Sequence, residues 1–184
     1  RELMNEQPIP GVGFRSYKVP PFKPGPGDEI VPFTRRRRIT ADHMLYSQAV
    51  SPHVVTVAEV DLAKVARLRD QHKSDFKRQG TPLTYLTFVV AAIVKALREH
   101  PTLNARVLED SYAVLKDINV GIAVDTPGGL LVANIKRTDT LSLRGIAASI
   151  HDLATRARDG KVTADDLRGT TFTVSNPGRK GNLF

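Results

Sequence analysis

The chain has 184 residues, 41% of them hydrophobic and 25% charged, which suits one soluble domain with a substantial core. The absence of cysteine excludes disulfides, thiolate metal sites and a cysteine nucleophile. The formal net charge is +8, and residues 1–38 hold 8 Lys/Arg against 4 Asp/Glu, so half of the excess sits near one end, largely in Arg35-Arg36-Arg37-Arg38.

Four consecutive arginines suit a polyanion, but no nucleic-acid reading module accompanies them. A solvated flank or a set of ion pairs is therefore the favoured reading, and no nucleic-acid partner is expected. No apolar run approaches the length of a membrane span, and the first residues resemble neither a signal nor a transit peptide. A cytoplasmic protein without a membrane partner is expected. The start at Arg1 rather than Met suggests a piece of a longer protein.

Residues 1–33 carry 7 of the 12 prolines and 4 of the 13 glycines, too many for a helical or strand period. They read as an extended linker or arm, with a folded domain over 34–184. A helix is expected from Thr40, which would cap it, with Met44, Leu45 and Ala49 on its apolar face and Pro52 beyond its end. Val54–Val60 (VVTVAEV) reads as a strand. Asp61 is expected to cap a long helix with Leu62, Val65, Leu68, His72 and Phe76 on one face, stopped by Gly80. Leu83–Glu99 is apolar nearly all round and predicts a helix buried between layers.

Ala105–Leu108 and Tyr112–Leu115 are short strand candidates. Two apolar runs, Val120–Val124 and Leu130–Ile135, flank Asp125-Thr126-Pro127-Gly128-Gly129, which predicts a hairpin with a five-residue loop. Apolar residues on both alternations predict cover on both faces. Leu141–Arg158 is amphipathic and closed by Gly160, a short helical turn follows Thr163, and Thr170–Ser175 is a last strand. Helices between strands argue for an α/β domain of two layers, a mixed β-sheet covered by helices.

Chemistry is harder to place. His43, His53, His72, His100 and His151 show neither metal-pair spacing nor a Ser-His-Asp order, and each is read as structural; no metal site is expected. Gly178-Arg179-Lys180-Gly181 lacks the G-x-x-x-x-G-K-[ST] pattern of a nucleotide P-loop.

Four phrases go further. They are Gly121-Ile122-Ala123-Val124-Asp125-Thr126 with Gly129-Leu130-Leu131-Val132, Arg37-Arg38 with Ala41, Met44 and Ser47, the stretch Gly160 to Gly169, and Phe172-Thr173-Val174-Ser175-Asn176-Pro177-Gly178. In order, from about Arg37 onward, they resemble the catalytic domain of the dihydrolipoamide acyltransferase component of 2-oxo acid dehydrogenase complexes. Gly128 and Ala133 depart from the usual Arg or Gln and Pro of that pattern.

The resemblance implies the chloramphenicol acetyltransferase-like fold. It implies trimers, with decarboxylase and dihydrolipoamide dehydrogenase partners, and leaves open whether the trimers assemble further into a cubic or dodecahedral core. It also implies acyl transfer between coenzyme A and a lipoyl group carried on a separate domain. Ser175 would then donate its hydroxyl to the oxyanion, an effect typically worth ~2.7–4 kcal/mol. Arg37, Arg38, Arg179 and Lys180 would be the candidates for the phosphates of coenzyme A. The family's general base lies in H-x-x-x-D-G, a motif that none of the five histidines begins. The resemblance therefore implies roughly the amino-terminal three quarters of a catalytic domain, inactive alone, its carboxyl-terminal part missing. A second reading is a non-catalytic core or adaptor of the same fold that binds a partner enzyme.

Overall fold

The computed structural model describes residues 20–108 and 110–176. The chain divides into two compact units, Arg1–Glu59 and Val60–Phe184. In the first unit, residues 20–34 form neither helix nor strand, and Asp28 closes a turn by accepting from the Gly25 amide at 2.8 Å. Helix α1 spans Arg35–Val50. It begins five residues before the predicted start because Thr34, in extended conformation, supplies the cap by accepting from the Arg37 amide at 3.3 Å. The four arginines that follow are good helix formers. Thr40 lies inside the helix, its hydroxyl donating to the Arg36 carbonyl. The expected apolar face is not buried among the described residues: Met44 is 57% exposed.

Val54–Val60 is a correction. The segment has no regular structure, and Val54 is 89% and Val55 85% exposed. Alternation predicts which face a strand buries, but a strand exists only when another accepts its hydrogen bonds. No strand among the described residues does so.

The second unit opens with α2 (Ala63–Arg78), where Asp61 accepts from the Ala63 amide at 2.7 Å. Gly80 ends it with φ +73°. Of the predicted stripe only Phe76 is buried; Leu68 is 46% exposed. Helix α3 (Tyr85–Glu99) buries Thr87, Val90, Val94 and Leu97, one stripe rather than its whole circumference. Tyr85 and Val89 stay exposed, so α3 is an outer layer and not a helix between two layers.

Strands β1 (Ala105–Val107) and β2 (Tyr112–Val114) form a small antiparallel ribbon. The main sheet has β3 (Val120–Thr126) at its centre, antiparallel to β4 (Gly129–Ile135) and parallel to β5 (Phe172–Val174). Helix α4 (Leu143–Arg158) packs on β3 and β4 and against α3. The predicted mixed sheet covered by helices is therefore observed. Pairing continues to Thr126–Gly129, so the loop shrinks from five residues to Pro127-Gly128, and Gly129 takes φ +106°.

One face of the sheet, Val120, Ile122, Val124, Ala133, Ile135 and Val174, makes the core with Val90, Val94, Leu97, Ile146, Ile150 and Leu153. Cover on the other face is partial. The turn Asp165–Leu167 packs on β4, while Ala123 and Val132 are half-buried and Thr173 is exposed.

Candidate functional site

The site is built around the carboxyl end of β5. Phe172 and Val174 pair with Val120 and Ile122, and Val174 points into the core. Side chains alternate along a strand, so the last buried residue sends its neighbour the other way. Ser175, the next residue, is exposed.

What fixes β5 against β3 is a polar clamp at its start. The Asn119 carbonyl accepts from the Thr171 and Phe172 amides at 2.9 and 3.2 Å. The Asn119 amide donates to the Thr171 hydroxyl at 3.0 Å, and its side chain donates to the Gly169 carbonyl at 2.9 Å. The same side chain accepts from the Arg137 amide at 2.8 Å, tying β5 to the chain leaving β4. Arg137 there holds φ +47°, an uncommon conformation for a residue with a Cβ. Asn134, almost fully buried, donates to the Arg168 carbonyl at 2.7 Å. Gly121 is required for close approach. A Cβ built there would lie 2.6 Å from Thr170 Cγ2 and 2.7 Å from Val132 Cγ1.

The turn that delivers the chain to β5 is pinned to α4. Arg156 grips Asp166 through two nitrogens at 2.5 and 3.0 Å, and the Thr163 amide and hydroxyl donate to the same carboxylate at 2.7 and 2.8 Å. The Arg156 hydrogen bonds, assisted by Thr163, hold the Asp166 carboxyl well below the usual carboxylate range despite its burial. Asp166, followed by Asp152, raises Arg156 in turn.

A depressed folded pKa stabilises the fold above the unfolded value, ~3.9 for Asp, and that contribution is lost as pH falls through the folded value. Asp166→Asn is therefore expected to cost about 1–2 kcal/mol at neutral pH and much less in strong acid. Thermal unfolding of both forms across that range checks it. An equal deficit at every pH would contradict the charge-based account.

The sequence-predicted residues are distributed as follows. Ser175 belongs to the second unit, at the end of β5. Arg37 and Arg38 lie in the first turn of α1, in the first unit, both exposed, with the Arg38 guanidinium 5.0 Å from the Phe33 ring centroid. Arg179 and Lys180 lie outside the described residues. Of the histidines, His53 shares a 3.3 Å hydrogen bond with Ser47, and His100 terminates α3. Among the described residues no cluster of histidines and acids suits a metal ion. Sequence reasoning missed the Asn119 clamp and the Arg156–Asp166 pair. A spacing signal existed only for Arg156 and Asp152, four apart on α4.

The family model for the catalytic domain of 2-oxoacid dehydrogenase acyltransferases matches residues 25–184. The lipoamide acyltransferase component of the branched-chain alpha-keto acid dehydrogenase complex of Bacillus subtilis is 41% identical over 158 residues, covering 85% of this chain and 37% of that protein. The acetyltransferase component of the pyruvate dehydrogenase complex of Staphylococcus aureus is 41% identical over 150 residues, 80% of this chain and 35% of that one. This chain thus spans little more than a third of those relatives' length.

Among solved structures, a probable dihydrolipoamide acetyltransferase from Listeria monocytogenes superposes with TM-score 0.80 at 37% identity, over 84% of this chain and 66% of that one. The cubic core of a pyruvate dehydrogenase multienzyme complex gives TM-score 0.83 at 33% identity, over 89% and 70%. Sequence and fold agree, and the chain belongs to the acyltransferase catalytic-domain family of the 2-oxoacid dehydrogenases.

Proposed function

We propose that the full-length protein transfers an acyl group between coenzyme A and the dihydrolipoyl group of a 2-oxo acid dehydrogenase complex, with Ser175 as oxyanion donor. The observation that carries this reading is an exposed hydroxyl one residue beyond a clamped strand whose last residue, Val174, is buried. A donor held on rigid backbone can be aimed where charge develops and needs no reorganisation during reaction. The thiolate sulfur attacks the thioester carbonyl carbon, and the carbonyl oxygen becomes the oxyanion that accepts from Ser175. Collapse of this intermediate expels the other thiolate. A thiol near pKa ~8.5 needs a base at neutral pH. We assign that role to a histidine of an H-x-x-x-D-G segment, which this chain does not contain.

In this reading Arg37, Arg38, Arg179 and Lys180 meet the phosphates of coenzyme A. Residues 1–33 form the linker to mobile lipoyl-bearing parts, and the domain assembles with itself into an oligomeric core that serves decarboxylase and dehydrogenase partners in the cytoplasm. Family membership supports acyl transfer, and the related cubic core supports self-assembly; a related structure, from Azotobacter vinelandii, determined to investigate a serine, a histidine and an asparagine in acetyltransferase catalysis, supports the serine and histidine roles. No helix among the described residues is long and apolar enough to cross a membrane.

The test is to incubate the full-length protein with dihydrolipoamide and, separately, acetyl-, succinyl- and branched-chain acyl-coenzyme A. Mass spectrometry should find acyl-dihydrolipoamide with at least one donor. Failure with every donor would overturn acyl transfer and leave the adaptor reading.

A further inference from the structure

The arginines that open α1 stop two residues short of a hydroxyl. Thr40 is exposed, and Arg35, Arg36, Arg37 and Arg38 occupy the fifth to second positions before it. No other serine or threonine of the chain has arginines at both the second and the third position before it. All of these residues belong to the first unit.

A negative charge on Thr40 would relieve the start of this helix. Its first turn holds no acidic residue, so four cations crowd the end where the backbone dipole favours an anion. Arg36 and Arg37 lie four and three positions before Thr40, which places their Cβ atoms ~5–6 Å from its own on a helix surface. The Thr40 hydroxyl already points back along the helix, donating to the Arg36 carbonyl at 3.0 Å. A phosphoryl group on that oxygen removes the donor, and the carbonyl keeps its helical amide partner. The new dianion then comes within reach of two guanidiniums, whose paired N–H groups match phosphate oxygens.

Access to an enzyme follows from the same helix. Protein kinases grip their substrates as extended chain, so the first turns of α1 must open. None of its residues is buried, so opening it exposes no apolar core. Repulsion among the arginines pushes the same way, and it is also the charge pattern that an acidic substrate groove selects.

We infer that Thr40 is the acceptor for an arginine-directed protein kinase, and that its phosphate closes on Arg36 and Arg37 and holds the start of α1 in helix. Thr40 Oγ1 attacks the γ-phosphorus of ATP, the bond from that phosphorus to the departing ADP breaks, and the hydroxyl proton passes to the kinase's catalytic carboxylate. Thr40 takes no part in the acyl-transfer reading, so the two stand or fall separately.

The probe is the catalytic subunit of cAMP-dependent protein kinase, which acts after paired arginines, incubated with magnesium-ATP and the full-length protein. Mass spectrometry of chymotryptic peptides should place a phosphate on Thr40. Thr40→Ser should accept it at that position and Thr40→Val should not, while Arg37→Ala should slow transfer about tenfold. Exposed substitutions of this kind leave folding nearly unchanged. Hydrogen exchange of the α1 amides should slow about threefold to tenfold on phosphorylation. Arg36→Ala should still be phosphorylated but gain less of that protection, which separates the phosphate's resting place from recognition by the kinase. No phosphate on Thr40, transfer indifferent to Arg37→Ala, or α1 amides that exchange as fast after phosphorylation as before would each overturn the inference.

Discussion

Replacing Ser175 by Ala in the full-length protein is expected to slow acyl transfer about 10²–10³-fold in kcat while KM changes little. In the proposed reaction the hydroxyl would meet a neutral carbonyl in the ground state and a full negative charge in the intermediate, so its loss is felt mainly in the barrier. Ser175 is exposed and follows the last paired residue, so the substitution removes no core contact and leaves stability within about 0.5 kcal/mol. Steady-state kinetics with both substrates varied separates the two parameters. A rise in KM at constant kcat would make Ser175 a binding residue, and unchanged kinetics would remove it from the site.

Gly121→Ala is expected to destabilise the domain by about 1–3 kcal/mol, and Gly121→Val by more. The added Cβ meets Thr170 Cγ2 and Val132 Cγ1 well inside contact distance. Both neighbours are β-branched and stiff at χ1, so neither swings aside cheaply. Relief requires β5 or β4 to move relative to β3. The two strands differ in consequence, because β5 carries Ser175. If β5 yields, kcat falls along with the melting temperature; if β4 yields, only the melting temperature falls. Thermal unfolding together with turnover at permissive temperature distinguishes the cases. An unaltered melting temperature would contradict the packing described.

How much of this was legible in the sequence depends on whether the cause was local. Gly80 and Gly160 end α2 and α4 with φ +73° and +69°, and both stops were readable because a left-handed residue at a helix end is a local requirement. The hairpin was readable from its breaker. Its two-residue loop was not, because cross-strand pairing extends through Asp125 and Thr126 to Leu130 and Gly129. The start of α1 is not legible from composition alone, because two threonines compete as caps and Thr34 is the one whose backbone is extended.

Non-local causes stayed hidden. The Val54–Val60 alternation says nothing about whether a partner strand exists. Asn119 and Thr171 are 52 residues apart, and nothing at either position announces that they meet. For the site, Ser175 alone is an ordinary strand-end serine. It was legible only through the wording of the phrase around it, a resemblance rather than a deduction.

The most direct measurement of the central claim is a crystal structure of the full-length protein with a stable thioester analogue of acyl-coenzyme A. Ser175 Oγ should stand about 2.7–3.1 Å from the analogue's carbonyl oxygen. An analogue seated with that oxygen against other donors, and Ser175 facing solvent, would contradict the account.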